Sequence, residues 1–368
     1  MTTIKNLFGS ITVALALFLS PAAGAQDPYI PTFTELAPGV WAGVREDNPR
    51  FPVMGTATFV ISDKGVVVYD GGGSATMAER IIAKIRSLTD LPVTHVAISH
   101  WHGDHNFGIF RYLEEFENVQ VVAHTFTQAV FEGTRINYID GYPDQIPNFK
   151  PQIEKGLEEG TLLGGDPMPE VMRGVYERIL EDADMIHADN QRASVTHATL
   201  TFDDKLTIRS GNRRIELLYL GDGNTAGDIV MWLPDEKIIA TGDIVVHPVP
   251  YAFNMPPKKW GATLRRIQAL EYNILVPGHG DLQRDQSYVD LLIETADSVV
   301  AQRDALAAQD IEEADAIARI DFSAFESRFI GDSEYLAVYF DAWFKQPMAA
   351  AAFKELKNIP MVTPNREE

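Results

Sequence analysis

Six consecutive residues, His100-Trp101-His102-Gly103-Asp104-His105, place three imidazoles and one carboxylate in a single short stretch. Imidazole nitrogen and carboxylate oxygen are good donors for zinc, and iron or manganese accepts the same donors. The alternating spacing turns neighbouring side chains to different sides of one loop, so one segment can serve two cations. The chemistry on offer is metal-assisted hydrolysis, in which a cation lowers the pKa of bound water and polarises the scissile bond. The chain contains no cysteine, so thiol nucleophiles and disulfides take no part.

Residues 93–99 read as a buried strand directly ahead of this cluster, which places the histidines in a loop at a strand's carboxyl end, where layered α/β folds hold their ligands. Upstream, short β-rich runs at 40–44, 56–62 and 66–69, with a turn at Asp63-Lys64-Gly65, predict an antiparallel start. Gly71-Gly72-Gly73-Ser74 then opens a helix expected over 75–88, with Ile81, Ile82 and Ile85 on one face. No Gly-Lys-Ser/Thr follows the glycines, so they are not a phosphate loop. Further strands are expected at 119–123, 205–210, 214–220, 229–233, 238–240 and 274–276. This mixture predicts an α+β fold of two mixed sheets packed face to face with helices outside.

Two stretches look like additions. Residues 126–198, rich in Glu, Asp, Gly and Pro and helical around 171–180, form either a lid over the site or a plain surface insertion. After His279 the pattern is helical, and its aromatics Tyr335, Tyr339, Phe340, Trp343 and Phe344 are expected in the core. No internal repeat is visible.

Residues 1–25 carry one charge, Lys5, then an apolar run of about 13 residues and the small residues Ala23-Gly24-Ala25, which together read as a secretory signal peptide. The run is short of the roughly 20 residues that span a bilayer, so no membrane span is expected in the mature chain. The location implied is periplasmic or secreted. A hydrophobic fraction of 45% with 23% charged residues fits a soluble globular chain. A net charge of −21 repels phosphate backbones and anionic lipid, which leaves a small molecule, and not nucleic acid, as the expected partner. Oligomeric state is not legible.

The hexapeptide matches His-x-His-x-Asp-His, and on this motif the chain resembles the metallo-β-lactamase superfamily. Other segments resemble the family's remaining motifs in order, from about residue 33 to 281. Asp70, in Val68-Tyr69-Asp70-Gly71-Gly72, is similar to an aspartate that supports the ligand loop. Asp243, in Ala240-Thr241-Gly242-Asp243, stands where the family places a residue able to bridge two metals, and His279, in Val276-Pro277-Gly278-His279-Gly280, resembles the last metal-binding histidine. The resemblance implies a four-layer αβ/βα sandwich over 26–300 and a helical C-terminal extension over 301–368. It implies one metal site from His100 and His102 with a third ligand, and another from Asp104, His105 and His279, with Asp243 joining both. Asp104 would orient the attacking water or move a proton, so Asp104, Asp243 and Asn224 are the candidate catalytic residues.

Asn224 is the departure. In Leu220-Gly221-Asp222-Gly223-Asn224-Thr225-Ala226-Gly227-Asp228 it replaces the histidine that family members usually carry. Its amide ligates metal, hydrogen-bonds the nucleophile, or merely shapes the turn. His187, His197 and His247 are weaker substitutes, and His95 and His124 read as structural. The function implied is an exported zinc hydrolase, with one or two ions per chain, cleaving a small ester, lactone, thioester or amide. Asp243 resembles the glyoxalase and lactonase pattern. Export instead suits a class B-like β-lactamase, and a third reading is a metal-binding protein of the same fold without turnover. For the leader, intact-mass measurement of protein from a secreting host is expected to give a chain beginning near Gln26; a full-length chain held in the cytoplasm refutes export.

Overall fold

The computed structural model describes residues 27–45, 51–309 and 311–366; the expected signal peptide lies outside them. Among the described residues, no helix is long and apolar enough to cross a membrane. The first sheet holds seven strands in chain order: β1 (Thr32–Ala37), β2 (Val40–Val44), β3 (Ala57–Ile61), β4 (Val66–Tyr69), β5 (Val93–Ala97), β6 (Gln120–His124) and β7 (Leu200–Phe202). Pairing is antiparallel from β1 to β4 and parallel from β4 to β7. The second sheet comprises β8 (Lys205–Ser210), β9 (Arg213–Tyr219), β10 (Ile229–Leu233), β11 (Ile238–Ala240) and β12 (Ile274–Val276). Its spatial order is β12-β11-β10-β9-β8, with only β11 and β12 parallel.

The period of two along each strand makes the layers. In β4, Val67 and Tyr69 face the space between the sheets while Val66 and Val68 face the outer helices. In β10, Ile229, Met231 and Leu233 point inward and Val230 and Trp232 outward. Strands apolar on both faces require cover on both sides. Helix Ala75–Leu88 covers the first sheet with Ile81 and Ile85, and Ser74 starts it by accepting the Met77 N–H at 3.1 Å. Helix Pro257–Gln268 covers the second with Trp260, Leu264 and Ile267. The result is the expected four-layer α+β sandwich.

The C-terminal helices complete the outer layer of the second sheet. Phe340, Phe344, Met348 and Phe353 share one apolar cluster with Val230, Trp232 and Trp260. The boundary expected at residue 300 falls inside the continuous helix Ser287–Ala307, so the chain shows no break there; the apolar face of that helix and of those after it packs on the same cluster as the second sheet, a partner that local pattern does not record.

The insertion is more helical than its sequence suggests. Helix Tyr142–Glu159 contains Pro147 and Pro151, which argue against a helix because proline cannot donate to the carbonyl four residues back. The carbonyl of Pro143, left without the Pro147 donor, accepts from the side chain of Gln191 at 3.0 Å. Gln191 follows the second long helix, Glu170–Asn190, so packing of the pair supplies what proline removes. Phe344 is fully buried, with ring centroids 5.3–5.7 Å from those of Phe322, Phe329 and Phe340. Phe344→Ala should cost about 3–5 kcal/mol in denaturant unfolding, in one transition; a loss under about 1 kcal/mol, or a separate early transition, would show that the extension is not part of the core.

Candidate metal centre

Every candidate ligand, and the supporting Asp70, sits past a strand's end. Asp70 follows β4, the 100–105 loop follows β5, Asn224 lies between β9 and β10, Asp243 follows β11 and His279 follows β12. The sandwich gathers these ends at one edge. Asp104, His105, Asp243 and His279 form one group of converging donors, and His100, His102 and Asp243 form another.

The distances describe two cation-sized sites with a shared carboxylate. In the first, His279 Nε2 is 3.1 Å from Asp104 Oδ2 and 3.4 Å from Asp243 Oδ1, and His105 Nε2 is 3.1 Å from Asp243 Oδ1. The two Nε2 atoms are 3.2 Å apart. In the second, His100 Nε2 is 3.0 Å from His102 Nδ1 and 3.6 Å from Asp243 Oδ2. Donors bound at about 2.0–2.1 Å to one tetrahedral ion lie roughly 3.3 Å from each other, so these spacings fit. Asp243 turns one oxygen to each group. Its Oδ1 and the Asn224 Oδ1 are buried with no hydrogen-bond partner. Buried polar atoms without partners are costly, and a cation between the donor groups would satisfy the one on Asp243.

Neighbouring groups fix the donors. Asp70, at a left-handed φ of 59°, accepts the Ser99 N–H through Oδ1 at 2.8 Å and holds His105 Nδ1 through Oδ2 at 2.8 Å. This leaves His105 Nε2 as the free donor. Ser99 Oγ lies 2.8 Å from His100 Nδ1 and does the same for that ring. A Cβ on Gly278 would lie 2.2 Å from Asp243 Oδ1, and one on Gly55 2.4 Å from the His105 ring, so only glycine fits at either position.

Burial disfavours charge on His105, but Asp243, Asp104 and Asp70 outweigh it and hold the imidazole well above its usual range. Burial, reinforced by His105, pushes His100 well below its range, and burial lowers His102 as well. Burial opposes ionisation of Asp104 and Asp243, yet the neighbouring imidazoles keep both carboxyls below the ordinary carboxylate range. A cation therefore competes with a proton at His105, and its affinity must fall as pH falls.

Asn224 joins the site despite its departure from the family pattern: it is fully buried and its amide donates to Asp243 Oδ2 at 3.3 Å. His187, His197 and His247 belong to neither donor group. His95 contacts Thr94 and His124 caps the helix Thr125–Glu132, in keeping with structural roles.

A cavity of about 250 Å³ opens over Asp104, Asn224 and Asp243. The insertion reaches it through Tyr142, Gln145 and Asn190, and the Asn190 amide donates to Gln145 Oε1 at 2.9 Å, tying the two long helices together at the mouth. Opposite stand Tyr251, Phe253 and Trp343. The core expectation for the late aromatics holds for Phe340 and Phe344 and fails for Trp343, because adjacent residues of the π-helical turn Phe340–Lys345 face different ways. Sequence reasoning also passed over Tyr251 and Phe253, which carry no motif. A larger cavity of about 710 Å³, beside Lys259 and the C-terminal residues 355–362, lies beyond Thr225 and Ala226 and contains none of the donors.

A family model described as the metallo-beta-lactamase superfamily matches residues 50–279. That span is more than half of the chain and includes Asp70, Asn224 and all six ligand candidates, so the chain belongs to the metallo-β-lactamase superfamily. A linear primary-alkylsulfatase of a Pseudomonas species is 20% identical over 247 residues, 65% of this chain and 44% of its own length. An atrochrysone carboxyl ACP thioesterase of Passalora fulva is 34% identical over 89 residues, 23% of this chain and 26% of its own. A type 2 metallo-beta-lactamase of Bacteroides fragilis is 31% identical over 86 residues, 22% of this chain and 34% of its own. The chain thus spans less than half the length of these relatives.

An amide oxygen is a poorer zinc ligand than imidazole, so metal titration should show two unequal steps. Asn224→His should tighten the weaker step by about tenfold or more. Calorimetry reads both steps, and unchanged affinities would place Asn224 outside the coordination sphere.

Proposed function

We propose that this chain is an exported hydrolase that binds two divalent cations, zinc by preference, and cleaves a small ester, lactone, thioester or amide. The observation that carries the reading is Asp243, whose two carboxylate oxygens face two separate groups of imidazole and carboxylate donors beneath a cavity. Asp104, His105, His279 and Asp243 would hold one ion, and His100, His102 and Asp243, with the Asn224 amide, the other. Bound there, divalent cations supply an ionised water at neutral pH and polarise the scissile group. Asp104 is the cluster's partly exposed carboxylate, 22% against 2% for Asp243, and faces the cavity. It is placed to orient the attacking water and relay a proton to the leaving group. Aromatic side chains over the ligands limit water and hold the rest of the substrate.

A β-lactam substrate is the second reading, favoured by the match to the Bacteroides fragilis enzyme and by the proposed periplasmic or extracellular location. Turnover also separates both readings from a metal-binding protein without catalysis. Metal analysis should find close to two ions per chain, and chelation should abolish hydrolysis of an aryl ester, a thioester and a lactone. His279→Ala should lower activity by more than the ~10–100-fold that losing an outer-shell partner costs. Cleavage of a chromogenic cephalosporin alone would favour the β-lactamase reading; full metal content without turnover of any of the four would refute a hydrolase acting on these bonds.

A further inference from the structure

We propose that the part of the substrate lying outside the metal centre is uncharged and apolar, and that Trp343 is its specificity-determining residue; this rests on the hydrolytic reading above. The cavity is small, about 250 Å³, and no lysine or arginine stands among the described residues that line it. Among the described lining residues, a carboxylate on the outer part of a substrate finds no cationic partner. The chain's net charge of −21 adds long-range repulsion. What the walls offer instead is a continuous run of rings. Tyr251 lies against the ligand His279 at 4.9 Å between centroids, Trp343 meets Tyr251 edge-on at 4.9 Å, and Phe253 lies 5.8 Å from Trp343. This shelf leads from a metal-ligand ring outward, and Phe253 at its outer end is 48% exposed.

Trp343 is held for this task. Its carbonyl accepts the Ala252 N–H at 2.8 Å, which fixes the C-terminal turn to the 251–253 segment. Phe340 and Phe344, buried on the same turn, anchor it in the core. The π-helical register is what lets Trp343 face the cavity while these two face inward, and such turns recur at functional sites. Across the cavity the insertion supplies the Tyr142 ring and the uncharged amides of Gln145 and Asn190. A small ligand set between these walls exchanges water for aromatic contact along most of its length.

The test uses the metal-loaded full chain and two matched esters, 4-nitrophenyl butyrate and 4-nitrophenyl hemisuccinate, which differ in a remote carboxylate. Binding of butyrophenone, a neutral ketone with no bond to hydrolyse, is measured by calorimetry. The butyrate should show at least tenfold higher kcat/KM. Trp343→Ala should weaken butyrophenone binding about tenfold and raise KM for the butyrate with metal content unchanged, and Trp343→Phe should recover most of the loss. Phe253→Lys, at a position 48% exposed, should narrow the gap between the esters by placing a cation at the outer end of the shelf. Equal or preferred use of the hemisuccinate, or butyrophenone binding indifferent to Trp343→Ala, overturns the inference while leaving the hydrolytic reading in place. Trp343-dependent butyrophenone binding without turnover of either ester or of the thioester, lactone and cephalosporin upholds the apolar cavity and refutes the hydrolytic reading; neither binding nor turnover of any of these overturns both.

Discussion

A carboxylate at Asp243 that is 2% exposed and close to three imidazoles is the constraint on which the rest of the centre depends. Removing such a charge from water costs several kcal/mol unless close partners compensate. Its two oxygens meet that demand in different directions, Oδ1 toward His105 and His279 and Oδ2 toward His100 and the Asn224 amide. The surrounding residues fix those directions. Gly278 leaves room beside Oδ1, and its carbonyl accepts the Thr56 N–H at 2.7 Å, which binds the segment after β12 to the start of β3. Asp70 and Ser99 set the two rings that face Asp243.

The scaffold achieves this convergence because the donors sit at strand ends and the strands are buried on both faces. A strand whose alternate side chains serve two apolar layers has little freedom to slide or rotate, so its carboxyl end is a well-defined place from which to project a ligand. The donors come from loops after β5, β11 and β12, with the Asn224 amide after β9 and the supporting Asp70 after β4, and no single loop has to be rigid by itself.

The additions perform a different task. Neither the insertion nor the C-terminal helices contribute a metal donor, yet both reach the cavity, through Tyr142, Gln145 and Asn190 on one side and Trp343 on the other. The donor groups and the outer walls of the cavity thereby come from different parts of the chain: the superfamily sandwich supplies the donors, and residues outside its core motifs supply the outer walls. The C-terminal helices do so while also burying the outer face of the second sheet, so the position of Trp343 is tied to the packing of Phe340 and Phe344.

The sequence by itself determined the donors and the layered frame. Three histidines and an aspartate in six residues announce a metal centre at any resolution, and helix Ala75–Leu88 and strands β2, β4, β8, β10, β11 and β12 lie where period and turn signals put them. These are local patterns, set by side-chain spacing within a few residues. Only the tertiary structure decided that Asn224 is buried against Asp243, that helix Tyr142–Glu159 survives two internal prolines, that the chain is continuous through residue 300, and that Trp343 leaves the core for the cavity. In each case the deciding partner is distant in the chain: Asp243 for Asn224, Gln191 for the carbonyl Pro147 leaves free, the second sheet for the C-terminal helices, and Ala252 for Trp343. Pattern within a segment records which face is apolar; it carries no record of which remote group will meet that face, because that is set by how the two sheets and their covering helices close on each other.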